Sequence, residues 1–144
     1  MNVDYDTVQS ACESLSVKIK KKKVDYIIGI GRGGLIPATI LGYQLNKPIY
    51  NLGLSSYDDK KRTDNINEYQ SGIDFTALNR KKTILIVDDL SDSGNSLHYA
   101  VEKYSWAVKR VYTATIFLKD KSEFKPDFYW DKVNSDTWIK FPWE

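Results

Sequence analysis

The chain has 144 residues, which is enough for one domain with a full core and too few for two ordinary domains. Hydrophobic residues make up 42% and charged residues 28%, and these globular proportions argue against global disorder. Because 21 Lys and Arg residues face 19 Asp and Glu residues, the net charge of +2 gives no support for general nucleic-acid binding. The single cysteine, Cys12, excludes an intrachain disulfide and a cysteine-based zinc site.

The chain also lacks the hydrophobic segments that membrane and secreted proteins carry. No stretch approaches the roughly 18 consecutive apolar residues that suggest a membrane span. The N-terminus lacks the apolar region of a signal peptide. We therefore expect a cytoplasmic protein without a transmembrane segment.

The first half of the chain predicts helices and strands in alternation. An amphipathic first helix is indicated by apolar residues at helical spacing, namely Val8, Cys12, Leu15 and Ile19. A strand over residues 24–30 follows, and then a tight glycine turn at 31–34. A second helix has Pro37 in its first turn, and residues 49–54 predict another strand.

The second half continues the alternation after a polar interruption. Residues 55–72 have few apolar anchors and predict a long loop, and such loops in compact domains are usually functional. A strand at 83–87, a helix from Asn95 and a strand at 109–118 complete the pattern. We expect an α/β fold with a mostly parallel, twisted sheet flanked by helices, whose ligands bind beyond the carboxyl ends of the strands.

Residues 84–97 join a buried-type strand to a group of carboxylates. The apolar run 84–87 fits a parallel strand covered on both faces, and Asp88 and Asp89 stand at its carboxyl end. A glycine turn then opens a helix, where backbone N–H groups and the helix dipole favour a phosphate. The hydroxyls of Ser93 and Ser96 add donors. The carboxylates suit sugar hydroxyls or a divalent cation, so the stretch predicts a site for a phosphorylated sugar.

This stretch resembles the 5-phosphoribosyl-1-diphosphate (PRPP) signature of type I phosphoribosyltransferases. In that signature a hydrophobic strand precedes two acidic residues, two variable residues, and then Asp, Thr or Ser, Gly, any residue, and Thr or Ser. The resemblance implies one phosphoribosyltransferase domain over residues 1–144, with PRPP as a substrate and Mg²⁺ as the cofactor. The implied 5-phosphate contacts are Asp92, Ser93, Gly94, Asn95 and Ser96.

The resemblance divides the three carboxylates between two roles. Asp88 and Asp89 would contact the ribose hydroxyls and the magnesium shell, with Asp89 meeting the metal directly or through water. Asp92 would be the catalytic residue. It would lie near purine N7, where it can accept or share a proton as N9 bonds to the sugar.

The turn at residues 29–34 reads G-x-G-x-x-G, and it permits two interpretations. A dinucleotide-binding fold expects an acidic residue about 20 positions further on, whereas Tyr50, Asn51 and Leu52 occupy that region. The family resemblance implies a diphosphate-binding loop instead, often with a non-proline cis peptide, which here would join Gly31 to Arg32. Its implied diphosphate contacts are Gly31, Arg32, Gly33 and Gly34.

The start of the polar segment resembles the flexible catalytic loop of purine-salvage members of the family. There a Ser-Tyr pair, here Ser56 and Tyr57, begins a loop whose closure excludes water from the reacting carbon. Arg62, with Lys60 and Lys61, would reach the diphosphate from the closed loop.

Residues 115–119 and 136–143 resemble the base-recognition segments of bacterial xanthine-guanine phosphoribosyltransferases, in the same order and at similar spacing. They imply a small C-terminal hood over the base. In it Lys119 would donate to purine O6, Trp138 would stack on the ring, and main-chain groups near Trp138 and Ile139 would meet the C2 substituent. Lysine is a donor only, so it selects a 6-oxopurine over adenine.

These features predict a purine-salvage phosphoribosyltransferase, and three matters stay open. The enzyme would transfer the 5-phosphoribosyl group from PRPP to guanine, xanthine or hypoxanthine, as a homodimer or homotetramer without a nucleic-acid partner. A PRPP-binding regulator of the same fold without turnover is the main alternative. An enzyme for a pyrimidine or modified base is another, and the preferred purine depends on backbone positions that side-chain identity leaves open.

Overall fold

The computed structural model describes residues 1–56 and 66–144 of the chain. In chain order the elements are helix α1 (Tyr5–Ile19), strand β1 (Tyr26–Gly31), helix α2 (Leu35–Leu45), strands β2 (Ile49–Ser56), β3 (Ile66–Ser71) and β4 (Thr83–Ser91), helix α3 (Asn95–Tyr104), and strands β5 (Arg110–Lys119) and β6 (Phe128–Val133). Two short 3₁₀ helices, Lys20–Lys22 and Phe75–Ala77, join these elements.

The strands form one mostly parallel sheet in the order β3-β2-β1-β4-β5-β6. Strands β2, β1, β4, β5 and β6 run parallel, whereas β3 pairs antiparallel with β2 at one edge. Because β1 has β2 on one side and β4 on the other, the chain crosses over in opposite directions from the middle of the sheet. Open α/β sheets bind ligands at such a switch point, beyond the carboxyl ends of the strands.

Helices cover both faces of the sheet, and β4 shows this most clearly. Its residues Leu85 and Val87 pack into the core formed with α1 and α2, while Ile84 and Ile86 pack into the core formed with α3. All four side chains are buried. The continuous apolar run of β4 is therefore explained by burial on two faces, as expected from the sequence.

Helix α1 begins and packs as its sequence predicts. The Asp4 carboxylate accepts a hydrogen bond of 2.8 Å from the backbone N–H of Thr7 and so caps the helix. The four apolar residues at helical spacing, Val8, Cys12, Leu15 and Ile19, are all buried in the same core. Burial also raises the pKa of the Cys12 thiol to about 12, so Cys12 is a packing residue.

A loop was predicted over residues 55–72, and this prediction was wrong at residues 55–56 and 66–71. Strand β2 extends to Ser56, and β3 occupies Ile66–Ser71 at the antiparallel edge. The side chains of β3 are half-buried or exposed, and an edge strand of that kind lacks the apolar pattern that marks a buried strand. Strand β4 also continues four residues past its predicted end, to Ser91, and β6 was not predicted. The register of neighbouring strands, rather than local composition, determines these elements.

None of the helices in the described part of the chain is both long and apolar enough to cross a membrane.

Candidate active site

A cleft of about 600 Å³ opens at the carboxyl ends of β2 and β4 and at the start of α3. Its walls include the ends of β2 and β4, the two strands that flank β1, as expected for the switch point of the sheet. The lining residues are Leu54, Ser55, Ile66, Asp88, Asp89, Leu90, Ser91, Asp92, Ser93, Gly94, Asn95, Ser96, Leu97 and Trp138.

Asp88 and Asp89 lie near the carboxyl end of β4, and both half-buried side chains line the cleft. The backbone N–H of Asp89 donates to Asp88 Oδ1 over 2.9 Å. Burial raises the pKa of Asp88 well above its ordinary value, and the neighbouring charge of Asp89 raises it further. Burial also raises the pKa of Asp89 to about 6, and the charge of Glu144 acts in the same direction. The two carboxylates together therefore favour a proton or a cation.

The chemistry of this carboxylate pair fits a magnesium ion. Mg²⁺ prefers oxygen ligands, and proteins commonly hold it by one or two carboxylates together with substrate phosphates. In the described ranges, no group of three or more His, Cys, Asp or Glu side chains is placed to bind a metal. A magnesium ion here would accordingly need oxygen ligands from a substrate or water as well as from Asp88 and Asp89.

The glycine turn at residues 31–34 lies directly beside these carboxylates. A Cβ atom added to Gly33 would overlap the Asp89 carboxylate, with Cγ only 2.8 Å away, and one added to Gly34 would lie 2.9 Å from Asp88 Cα. The Gly31–Arg32 peptide bond is cis, as the family resemblance implied. The Arg32 side chain is exposed and is not among the residues that line the cleft.

The phosphate turn, residues 92–96, leads from β4 into α3. Gly94 has φ +92°, a conformation that glycine adopts without steric cost, and it precedes the first residue of the helix. The Ser93 hydroxyl accepts a hydrogen bond of 3.2 Å from the backbone N–H of Asn95. Asp92 lies 3.6 Å from the ammonium of Lys121. The turn therefore places backbone and hydroxyl donors at a helix N-terminus, which favours an anion.

The predicted base-recognition residues occupy different depths. Lys119, the last residue of β5, is 7% exposed, and its ammonium donates to the carbonyl oxygens of Ser135 (3.2 Å) and Thr137. Trp138 is 78% exposed and lines the cleft. The Ile139 side chain is buried in the core beneath, so only its main chain is placed to meet a ligand.

The segment that carries Trp138 is held by the N-terminus of the chain. The terminal ammonium of Met1 donates to the Trp138 carbonyl over 2.7 Å. The backbone of Val3 donates to the Lys140 carbonyl, and Lys140 donates to the Met1 carbonyl, each over 2.9 Å. The hood is thus tied to the α1 end of the molecule.

The structure brings most of the predicted site residues together. All the predicted residues from Asp88 to Ser96, with Trp138, share the cleft, and the glycine turn contacts its carboxylates. Of the predicted loop residues, Tyr57 and Arg62 lie outside the described residues, as do Lys60 and Lys61. Ser56 is the last residue of β2, and only its backbone is described.

Sequence reasoning missed several residues that shape the site. Leu54 and Ile66 line the cleft from the β2–β3 edge, and Ser91 lines it at the end of β4. Lys121 and Ser122 belong to the connecting segment, residues 120–127, which returns from β5 to β6 and contacts the phosphate turn. A polar stretch between two strands carries no local signal of such contacts. Only the position of Lys121 and Ser122 next to Lys119 could have suggested them.

Comparison with known proteins places the chain in a family. Residues 4–144 match the phosphoribosyl transferase domain family. The chain belongs to this family. A xanthine-guanine phosphoribosyltransferase from Idiomarina loihiensis is 34% identical over 82% of this chain and 70% of its own length. Another from Cereibacter sphaeroides is 33% identical over 99% of this chain and 86% of its own.

The fold comparison agrees with this phosphoribosyltransferase assignment. The crystal structure of a purine phosphoribosyltransferase from Pyrococcus horikoshii superposes with a TM-score of 0.88 at 29% identity, covering 100% of this chain and 93% of that one. The predictions of an enzyme of the type I phosphoribosyltransferase fold, and of similarity to xanthine-guanine phosphoribosyltransferases, are confirmed. The comparisons favour them over a dinucleotide-binding fold.

Proposed function

We propose that this phosphoribosyltransferase transfers the 5-phosphoribosyl group from PRPP to a 6-oxopurine, producing a nucleoside 5-monophosphate and diphosphate. The observation that carries the proposal is the composition of one cleft. A phosphate turn, a carboxylate pair and an exposed tryptophan line it together, and a buried lysine ends the neighbouring strand. The names of the relatives, which are xanthine-guanine and purine phosphoribosyltransferases, support the same substrate class.

The phosphate turn would bind the 5-phosphate of PRPP. Its backbone N–H groups lie at the N-terminus of α3, where the helix dipole is positive, and the hydroxyls of Ser93 and Ser96 add donors. Asp88 and Asp89, which precede that turn on β4, would accept hydrogen bonds from the ribose hydroxyls. The glycine turn with Arg32 would bind the diphosphate through backbone donors and one guanidinium.

The carboxylate pair would also hold Mg²⁺, which fits the oxygen donors present. A bound Mg²⁺ would neutralise negative charge on the departing diphosphate. The raised pKa values of Asp88 and Asp89 support this assignment, because a cation relieves the cost of placing two half-buried carboxylates side by side.

Lys119 would select the 6-oxopurine through its one remaining donor. A lysine ammonium has three N–H groups, and in the folded chain two of them meet the carbonyl oxygens of Ser135 and Thr137. The third can donate to purine O6. Adenine presents a donating amino group at that position, so it would leave the buried ammonium unsatisfied. Trp138 would stack on the purine ring and contribute about 1 to 3 kcal/mol with little discrimination among bases.

Catalysis would rest mainly on positioning and electrostatics. Asp92 would accept or share the proton of purine N7 while N9 bonds to the anomeric carbon. The segment that contains Tyr57 and Arg62 would close over the site and exclude water, which competes with the purine for the anomeric carbon. We further propose that the protein is a cytoplasmic homodimer or homotetramer and that it binds no nucleic acid.

The proposal is tested by measuring diphosphate release from PRPP and Mg²⁺ with guanine, xanthine, hypoxanthine, adenine, orotate and uracil in turn. We expect turnover with at least one 6-oxopurine and none with adenine or the pyrimidines. Absence of turnover with every 6-oxopurine would refute the assignment. Asp92→Asn should lower kcat while PRPP affinity is largely preserved, and an unchanged kcat would remove the proton-handling role.

The alternative, a regulator that binds PRPP without turnover, predicts a different outcome. Such a protein would bind PRPP and shift a nucleic-acid probe in a gel while releasing no diphosphate. The comparisons favour the enzyme, since the relatives are transferases by name. The gel-shift experiment, run beside the base panel, separates the two functions.

A further inference from the structure

Two serine hydroxyls join the end of β4 to the connecting segment. Ser91 is the last residue of β4 and is 1% exposed, and its Oγ lies 2.8 Å from Ser122 Oγ. Both hydroxyls lie close to the Phe124 carbonyl oxygen, Ser91 at 2.9 Å and Ser122 at 3.0 Å. Whichever hydroxyl donates to that carbonyl, the other can donate to its partner, so both proton arrangements keep the pair hydrogen-bonded.

The connecting segment also lies directly against the phosphate turn. The backbone N–H of Glu123 donates to the Ser93 carbonyl over 3.1 Å. A Cβ atom added to Gly94 would lie 2.5 Å from Phe124 Cβ and 2.8 Å from Phe124 N, so the two backbones approach as closely as a glycine permits. Any shift of residues 122–124 must therefore move the turn.

On its other side, the connecting segment is bonded to the base-recognition residues. The backbone N–H of Ser122 donates to the Lys119 carbonyl over 3.1 Å. The backbone N–H of Lys121 donates to the Ser135 hydroxyl over 2.8 Å, and the Lys119 ammonium donates to the Ser135 carbonyl. Two neighbouring residues of the connecting segment thus link the phosphate turn to Lys119 and the hood, because Glu123 bonds Ser93 and Ser122 bonds Lys119.

We infer that Ser91 and Ser122 form a positioning pair, which fixes the separation between the 5-phosphate site and the purine site. This inference rests on the proposed function. A nucleoside monophosphate joins its phosphate to its base through a short covalent linkage, so it binds best when its two sites stand at a matching distance. Neither serine belongs to the phosphate turn or to the base-recognition segments. The pair acts by holding the connecting segment, and with it Lys119, against the turn.

The test compares a ligand that spans both sites with a ligand that occupies one. The spanning ligand is the 5-monophosphate of guanosine, xanthosine or inosine, chosen as the product of the base preferred in the turnover panel. Ribose 5-phosphate contacts the phosphate turn and the carboxylates alone. Isothermal titration calorimetry gives the Kd of both ligands, and thermal unfolding monitored by circular dichroism gives the Tm of each variant.

Ser122→Ala should weaken binding of the nucleotide about five- to tenfold, the range expected for a net hydrogen bond. Binding of ribose 5-phosphate should change by less than about twofold, because the turn keeps its own donors. Ser122→Thr retains the hydroxyl and should restore nucleotide affinity. Ser16→Ala is the matched control, since it removes a serine hydroxyl that donates to the Glu13 carbonyl over 2.8 Å within α1, outside the cleft and the connecting segment, and both affinities should stay unchanged.

Ser122→Ala with wild-type affinity for the nucleotide would overturn the inference. So would equal weakening of both ligands, or a loss that Ser122→Thr fails to restore, because each outcome indicates general damage rather than lost positioning. A wild-type protein that binds no purine nucleotide would overturn the proposed function and this inference together. The two failures are therefore distinguished by the wild-type titration.

Discussion

Replacing Gly33 by alanine should damage the active site while leaving the fold intact. The new methyl carbon would lie 2.8 Å from Asp89 Cγ, whereas ordinary van der Waals contact begins at 3.4 Å. The clash involves a side chain that faces an open cleft, so the Asp89 carboxylate can rotate away without moving the strand. Its Oδ2 lies closer still to the added carbon, so the carboxylate must retreat by about an ångström from the position where it would meet ribose and Mg²⁺.

The size of the effect follows from that displacement. A misplacement of about 1 Å at a reacting group can cost about 100-fold in rate, so we expect kcat/KM for PRPP to fall about 10- to 100-fold. The Tm should change by less than about 3 °C, because no buried backbone moves. Diphosphate release at varied PRPP concentrations measures the first quantity, and thermal unfolding followed by circular dichroism measures the second.

Gly34→Ala is the matched control at the adjacent position. There the methyl group would lie 2.5 Å from the Val87 carbonyl oxygen and 2.7 Å from the Ile30 carbonyl oxygen. Both are backbone atoms of central strands, so accommodation requires β1 or β4 to shift. We expect a loss of about 1 to 3 kcal/mol in stability and a Tm lower by about 5 to 10 °C. Equal losses of Tm in the two variants, or Gly33→Ala with wild-type kcat/KM, would refute the reasoning.

Three further predictions concern the base site, the diphosphate turn and pH. Lys119→Met should raise the KM for the preferred purine about 10- to 100-fold, because it removes a hydrogen bond from a charged group. An equal rise in the KM for PRPP would contradict the role of Lys119 at purine O6. Gly31→Ala would place a methyl carbon 2.9 Å from Asn51 Cγ and should raise the KM for PRPP, and adding Asn51→Ala should reverse that rise if the clash is the cause. Burial raises the pKa of Asp88 above its ordinary value and raises the pKa of Asp89 from 3.8 to about 6. Between about pH 4 and pH 6 the folded protein therefore binds more protons than the unfolded chain. The free energy of unfolding should therefore fall as pH rises from about 4 to above 6, Asp89→Asn should flatten the fall, and urea unfolding across that range that shows rising stability would contradict the assignment.

The strand that carries the carboxylates was predictable because its environment leaves a strong local signal. Four consecutive apolar residues, 84–87, are typical of a strand buried on two faces, and both cores indeed contact it. A glycine with positive φ at a helix start, Gly94, similarly marks a turn in the sequence itself. These features depend on residues that are close in the chain, so composition and spacing reveal them.

The elements that the sequence did not predict depend on distant partners. Strand β3 exists because β2 offers it an edge, and none of its own side chains is fully buried. Ser122 bonds Ser91 across a separation of 31 residues, and nothing near either serine indicates the other. Contacts of this kind arise from the register between β4 and β5, which places Ser91 opposite Leu118.

The order of the strands gives a reason why different parts of the substrates should respond to different substitutions. Strands β1, β4 and β5 are neighbours in the sheet, and each ends in one group of the proposed site. The glycine turn with Arg32 follows β1, the carboxylates and phosphate turn end β4, and Lys119 ends β5. In the proposed function these groups bind diphosphate, ribose phosphate and purine respectively. The diphosphate, the ribose phosphate and the purine would therefore lie side by side across the ends of β1, β4 and β5. Substitutions at the end of β1 should change the KM for PRPP, and substitutions at the end of β5 should change the KM for the base.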